Sequence, residues 1–342
     1  MRPLICALGL MSAWSGLNAQ PPTWQPSAGH TQVPIWPGTA PDAQPVPGPE
    51  FTWTTKPKSA VAGMPVTVVD NVSQPTMTVF APKGKNSGGA VVVFPGGGYM
   101  ELAIDLEGTE VCDWLTTKGF TGVLLKYRVP HSGQYWDRQL RREVDPKAPM
   151  ALEDAQRTVG LVRFHAAEWH IDPHKIGVLG FSAGGHLVAA MSTHFAQRLY
   201  PAVDAADKVS CRPDFAVALY PGHLSIEAAK WDASQSSKQF DVRPAGNPSV
   251  PESSYELNPD IRSHITSETP PTFLIQDEDD HVDNVDDSLS YYAALKNVGV
   301  PVEMHLYAQG GHAFGLRRTK FPVTGWPQLV ETWLATIGMI SE

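Results

Sequence analysis

The residues best suited to chemistry centre on Ser182, in Gly180-Phe181-Ser182-Ala183-Gly184. This G-x-S-x-G pattern falls where an apolar run, Ile176–Phe181, gives way to a helical one, Gly184–Gln197. Flanking glycines permit a tight turn from strand to helix, which lifts the serine Oγ above a sheet edge beside the N–H groups of a helix N-terminus. A serine hydroxyl needs a base before it becomes a nucleophile. His312, in Gly310-Gly311-His312-Ala313, follows the last strand-like segment, Val302–Tyr307. The imidazole in turn needs an acid to orient it, and strand-like Thr272–Gln276 runs straight into Asp277-Glu278-Asp279-Asp280. A fourth part is Phe94-Pro95-Gly96-Gly97-Gly98-Tyr99, where glycines let N–H groups face an oxyanion with no Cβ in the way. Each feature has a plain alternative: a Gly-rich turn, a surface histidine, an acidic loop. Their joint occurrence at strand ends, in the order Ser, Asp, His, is what argues for acyl transfer.

Those strand ends must lie together. Val66–Val69 and Thr76–Phe80 read as a hairpin or meander, and Ala90–Phe94 as a fully buried strand. Helical and strand periods then alternate: helix Glu107–Lys118, strand Phe120–Tyr127, helix Ala151–Trp169, and, after the Ser182 unit, strand Phe215–Tyr220, helix Asp286–Val298 and helix Trp326–Ile337. Alternation of this kind predicts an α/β domain with a mostly parallel sheet and helices on both faces, which sets the carboxyl ends of its strands along one edge. Residues 59–342 therefore read as one catalytic domain. Two polar stretches, 130–149 and 222–268, interrupt the rhythm and read as insertions that line or cover the site.

The chain has 342 residues with 31 Pro, and ten of these prolines fall between Pro21 and Pro57, so residues 20–58 read as an extended arm, with Trp24, Trp36 and Trp53 as anchors to the domain. Arg2 followed by an apolar run from Leu4 to Trp14 predicts a secretory signal peptide over residues 1–19, hence a secreted or periplasmic protein. No later run is long enough for a membrane span. Loss of the leader leaves Cys112 and Cys211, for which two buried thiols are favoured over a bridge because the fold sends them to opposite ends of the sheet. The net charge of −9, with basic residues clustered only at Arg138, Arg141 and Arg142, argues against nucleic acid. Zinc spacings are absent, and the acidic loop lacks the central Gly and final Glu of a calcium loop, so no metal or other cofactor is expected. His186 reads as a packing or hydrogen-bonding residue, Asp286 and Asp287 as capping or charging the start of the following helix, and Asn71-Val72-Ser73 as a glycosylation sequon.

From about Thr76 to the C-terminus these motifs resemble the α/β-hydrolase superfamily, and within it secreted bacterial esterases related to acetylxylan esterases and the hormone-sensitive-lipase-like group. Trp36-Pro37-Gly38-Thr39-Ala40-Pro41 is also similar to the segment leading into the core of such esterases. The resemblance implies an eight-stranded-type sheet and a serine esterase, with Ser182 as nucleophile, His312 as base, and Gly97, Gly98 and Ala183 as oxyanion donors. In relatives the penultimate strand ends in H-G-x-x-D followed by x-x-V-P, a frame that selects Asp280, with Asp279 and Asp283 as the next choices. The sequence departs from the lipase-like H-G-G-G at Pro95, where His would stand. Acetyl groups on plant-cell-wall polysaccharide, an acetylated hemicellulose, are the implied substrate, with Tyr99 and Trp136 as candidate substrate-binding residues. A short-chain carboxylesterase or a feruloyl-type esterase uses the same machinery, whereas the propeller of a prolyl-oligopeptidase-type enzyme does not fit before Phe94. The alternative of another class is a catalytically silent binding protein; it would show a missing triad member, and none is missing.

Overall fold

The apolar runs that alternate with helical ones become the middle of an eight-stranded sheet. The computed structural model describes residues 23–43, 45–130, 135–137, 142–144, 147–224 and 261–340, excepting the side chains of 131–147, 262 and 263. The expected signal peptide, residues 1–19, and most of the 222–268 insertion lie outside the described residues. In chain order the strands are β1 (Gln32–Pro34), β2 (Phe51–Thr54), β3 (Thr67–Asp70), β4 (Thr76–Phe80), β5 (Ala90–Phe94), β6 (Glu101–Leu102), β7 (Thr121–Lys126), β8 (Tyr135–Asp137), β9 (Arg142–Val144), β10 (Ile176–Phe181), β11 (Ala216–Leu219), β12 (Thr272–Asp277) and β13 (Val302–Tyr307). The helices are α1 (Glu110–Thr117), α2 (Lys147–Phe164), α3 (Ala183–Thr193), α4 (Val285–Asn297) and α5 (Trp326–Thr336).

The main sheet runs β1-β4-β7-β5-β10-β11-β12-β13. From β7 to β13 every pairing is parallel, while β4 is antiparallel to β7 and β1 to β4. Every residue of β5, β7, β10, β11 and β12 is buried, as strands covered on both faces require. Helices α1 and α5 meet on one face through Trp114 and Trp326, and Trp333 of α5 packs on Phe215 and Phe273. Helices α2 and α3 pack together on the other face, with α3 against β10 and β11. The chain leaves β5 for β7 and then crosses back to β10, so a crevice opens beyond the carboxyl ends of β5 and β10.

The arm is part of the fold. Its residues Gln32–Pro34 form the edge strand β1, kept short and carrying a proline, which blunts an otherwise exposed edge. Trp24 and Trp36 are buried, whereas Trp53, on β2, is 38% exposed and anchors nothing of the core. Trp36 Nε1 donates to Asp154 Oδ1 (2.8 Å), whose carboxylate also accepts from Arg128 Nε (3.0 Å), and Arg128 reaches Glu153 (2.7 Å) and the carbonyl of Pro41. Arg157 donates to the Ile35 carbonyl and lies over the Trp36 ring.

Two local readings change. Thr67–Asp70 and Thr76–Phe80 do not pair with each other: β3 joins β2 and β6 in a separate three-stranded sheet, while β4 joins the main sheet. Asn71 separates them at φ 56°, its amide donating to the carbonyls of Pro47, Gly48 and Pro49. That same burial, 1% exposed, removes Asn71 as a glycosylation acceptor. Cys112 and Cys211 are free and buried.

Replacing Arg128 by Met leaves Asp154 and Glu153 as buried carboxylates without their cation. The expected loss is about 3–5 kcal/mol, read as a lower urea midpoint at unchanged slope.

Candidate active site

Strand β10 ends at Phe181 and α3 begins at Ala183, so the change of direction falls on Ser182, at φ 51° and ψ −121°. Such a backbone costs a residue with a Cβ of order 1–3 kcal/mol. The neighbouring glycines are demanded by contact: a Cβ on Gly180 would lie 2.2 Å from the Gly184 carbonyl oxygen, and one on Gly184 2.0 Å from that of Phe94. His312 Nε2 stands 2.9 Å from Ser182 Oγ, and its Nδ1 stands 2.7 Å from Asp280 Oδ2.

The structure gives each acidic candidate a different place. Asp280 orients the imidazole and is itself held by the N–H groups of Val282 (2.8 Å) and Asp283 (3.1 Å) and by Gln276 Nε2 (3.1 Å). Asp279 Oδ1 accepts from the N–H groups of Gly310 (2.9 Å) and Gly311 (2.8 Å), tying down the loop that carries His312. Asp283 lies beside both Ser182 and His312, Oδ2 being 3.4 Å from Ser182 Oγ and 3.8 Å from His312 Nε2. Asn284 caps α4, while Asp286 and Asp287 place their acidic groups in its first turn, and Asp287 is buried, accepting from the N–H groups of His223 and Leu224.

The N–H groups of Gly97, Gly98 and Ala183 have no protein acceptor among the described residues. They stand at the ends of the adjacent strands β5 and β10, beside Ser182. Tyr99 does not line this crevice. Its ring is 2% exposed, packs on Tyr127 and bonds through its hydroxyl to His186 Nδ1 (2.8 Å), because the positive φ of 55° turns it inward behind the glycines. Trp136 falls in β8, whose side chains lie outside the described residues.

Residues 141–316, more than half of the chain, match the alpha/beta hydrolase fold family. The chain belongs to that family. It is 31% identical to the crystal structure of an acetyl ester-xyloside bifunctional hydrolase from Caldicellulosiruptor lactoaceticus, with a TM-score of 0.67 over 91% of this chain and 97% of that one. It is also 30% identical, over 70% of its length, to an acetylxylan esterase of Xylanibacter ruminicola, and 27% identical, over 69%, to endo-1,4-beta-xylanase B of Butyrivibrio fibrisolvens. The chain spans less than half of either of these curated relatives, 43% and 34%. Esterase 2 of Thermogutta terrifontis shares the fold at 21% identity and a TM-score of 0.59.

Within this hydrolase fold the glycine loop has a brace behind it that no sequence motif announces. A π-helical turn, Asp105–Thr109, presents the buried Glu107. Its Oε2 accepts from Gly96 N–H (2.8 Å) and its Oε1 from the Tyr220 hydroxyl (2.8 Å), while the Tyr220 ring stands edge-on to His312 at 4.7 Å. Tyr127 O–H donates to the carbonyl of Pro95, where the H-G-G-G pattern would have His. One acidic residue at the start of an amphipathic helix carries no signal of this role, since acids are favoured there for the helix dipole alone.

Burial pushes the His312 imidazole down, but the hydrogen bond it donates to Asp280 and the charges of Asp283, Asp280 and Glu107 outweigh it and hold the ring at about 9. Burial pushes Asp283 and Glu107 up. Asp277, with neither oxygen partnered among the described residues, is pushed to about 7 by burial and by the Asp279 and Asp280 charges. Among the described residues no group of three or more His, Cys, Asp and Glu is arranged to hold a metal ion.

A base must be neutral to take a proton, so activity should rise with pH as His312 deprotonates. Asp283→Asn removes a charge that favours the imidazolium, and the acid limb of the kcat/KM profile should move to lower pH. Glu107→Gln leaves one acceptor oxygen for two donors, the Gly96 N–H and the Tyr220 hydroxyl. Its expected effect is a fall in kcat of about 10- to 100-fold with KM little changed, as for a misplaced oxyanion donor.

Proposed function

We propose that this protein is an exported carboxylic ester hydrolase that removes acetyl groups from plant-cell-wall polysaccharide through a Ser182-His312-Asp280 acyl-enzyme route. The observation that carries the chemistry is the continuous chain Asp280 Oδ2, His312 Nδ1, His312 Nε2, Ser182 Oγ at 2.7 and 2.9 Å, beside three N–H groups without a protein acceptor among the described residues. His312 takes the Ser182 proton as Oγ attacks the ester carbonyl, and Gly97, Gly98 and Ala183 receive the oxyanion. The imidazolium, stabilised by Asp280, passes the proton to the leaving alcohol oxygen. Water then repeats the sequence on the acyl-enzyme and releases the acid.

The acetyl-polysaccharide substrate is supported by the relatives near 30% identity, which are named for acetylxylan and acetyl ester-xyloside hydrolysis. Export is supported by the leader-like residues 1–19. Ser182→Ala should lower kcat on 4-nitrophenyl acetate by about 10⁴-fold or more, and near-normal turnover would defeat the mechanism. Acetate release from acetylated xylan, set beside methyl ferulate and 4-nitrophenyl esters of rising chain length, tests the substrate. Brisk hydrolysis of the small esters with none of the polysaccharide would point to a general short-chain esterase.

A further inference from the structure

The triad uses Asp280, and a second buried carboxylate at the nucleophile remains without a task. Asp283 is 5% exposed and points its Oδ2 at Ser182 Oγ across 3.4 Å, well beyond the 2.5–2.7 Å of a charge-assisted O–H···O bond. Ser182 has one hydroxyl proton, and at 2.9 Å that proton belongs to His312 Nε2 whenever the imidazole is neutral. In the protonation state that starts catalysis, Asp283 therefore has no side-chain donor among the described residues. A carboxylate beside a reaction that builds negative charge is also costly, and a valine of similar size would avoid both penalties.

The chain nevertheless builds a seat for it. A Cβ on Gly222 would fall 1.9 Å from Asp283 Oδ1, so only glycine at that point beyond β11 leaves room for this side chain. The Asp283 backbone is held at both ends, its N–H by Asp280 Oδ1 (3.1 Å) and its carbonyl by Gln276 Nε2 (3.2 Å). Direction matters too. The oxyanion donors come from β5 and the β10 turn, whereas Gly222 and Asp283 follow β11 and β12, on the other flank of β10. Asp283 thus stands on the side of His312 Nε2, where the leaving oxygen collects its proton, and away from the oxyanion.

We propose that Asp283 is a specificity-determining residue that accepts a hydrogen bond from a free hydroxyl on the carbon next to the ester-bearing carbon, selecting monoesters of vicinal diols such as partly acetylated sugars. The proposal rests on the ester-hydrolase reading and narrows its substrate class. The substrate hydroxyl supplies the donor that Asp283 lacks once Ser182 has bonded to His312. An ester without that hydroxyl leaves a buried carboxylate unpaired in the complex, the situation in which binding sites discriminate most strongly.

The test is kcat/KM on methyl β-xyloside carrying one acetyl group at O2, with the 3-hydroxyl free, against its 3-deoxy analogue, with phenyl acetate as a reference for the assembled site. Wild type should prefer the free hydroxyl by about tenfold or more. Asp283→Val should bring the two sugars to within about twofold of each other, and Asp283→Asn should keep part of the preference through its carbonyl oxygen. Equal rates for wild type on the two sugars, with phenyl acetate hydrolysed, would overturn the proposal alone, as would a preference surviving in Asp283→Val. No hydrolysis of any ester by wild type would overturn the esterase reading together with it. The wild-type comparison stands even if the valine variant does not fold.

Discussion

One residue turns the chain from strand to helix, and the crevice is organised around that constraint. Ser182 can hold φ 51° because β10 and α3 on either side are buried almost throughout and leave the turn no other path. Backbone meets backbone there, the Phe94 carbonyl against Gly184 and the Gly184 carbonyl against Gly180, which brings the ends of β5 and β10 close enough for the glycine loop and the Ala183 N–H to face one point. A side chain at either glycine would part the strands and open the donors.

Charge is the second organising quantity. One imidazole is surrounded by three buried carboxylates: Asp280, held by backbone N–H groups, Glu107, held by a backbone N–H and the Tyr220 hydroxyl, and Asp283, which faces Ser182 Oγ. Only Asp280 reaches Nδ1. Glu107 acts from behind the glycine loop and Asp283 from the opposite flank, so the charges that stabilise an imidazolium also hold the groups around it in place. Their cost falls on the resting base, whose proton is held more tightly than that of an ordinary histidine. Under the proposed mechanism their benefit falls on the imidazolium that acyl transfer passes through.

The N-terminal arm shows how far the fold extends beyond its recognisable motifs. Trp36 hydrogen-bonds Asp154, which pairs with Arg128 at the end of β7, so the arm closes over a buried ion cluster and adds the edge strand β1. Proline content marked this segment as extended, but a proline-rich strand at a sheet edge and a proline-rich linker read alike until a partner strand is in view.

Periodicity and local motifs were enough to establish the alternating α/β order, the strand-to-helix turn at Ser182 and the loop positions of His312 and the acidic cluster. Short-range backbone chemistry dictates these, and it is written in adjacent residues. The roles of Asp279, Asp280 and Asp283, the inward turn of Tyr99, the separate sheets of β3 and β4, and the brace from Glu107 were decided by tertiary structure. Each depends on contacts between residues far apart in sequence, such as Glu107 with Tyr220 or Asp283 with Gly222. Four aspartates within seven residues share one composition and one loop. Only the packing of β12 against β11 and β13 determines which carboxylate meets Nδ1, which ties down the histidine loop and which faces the nucleophile.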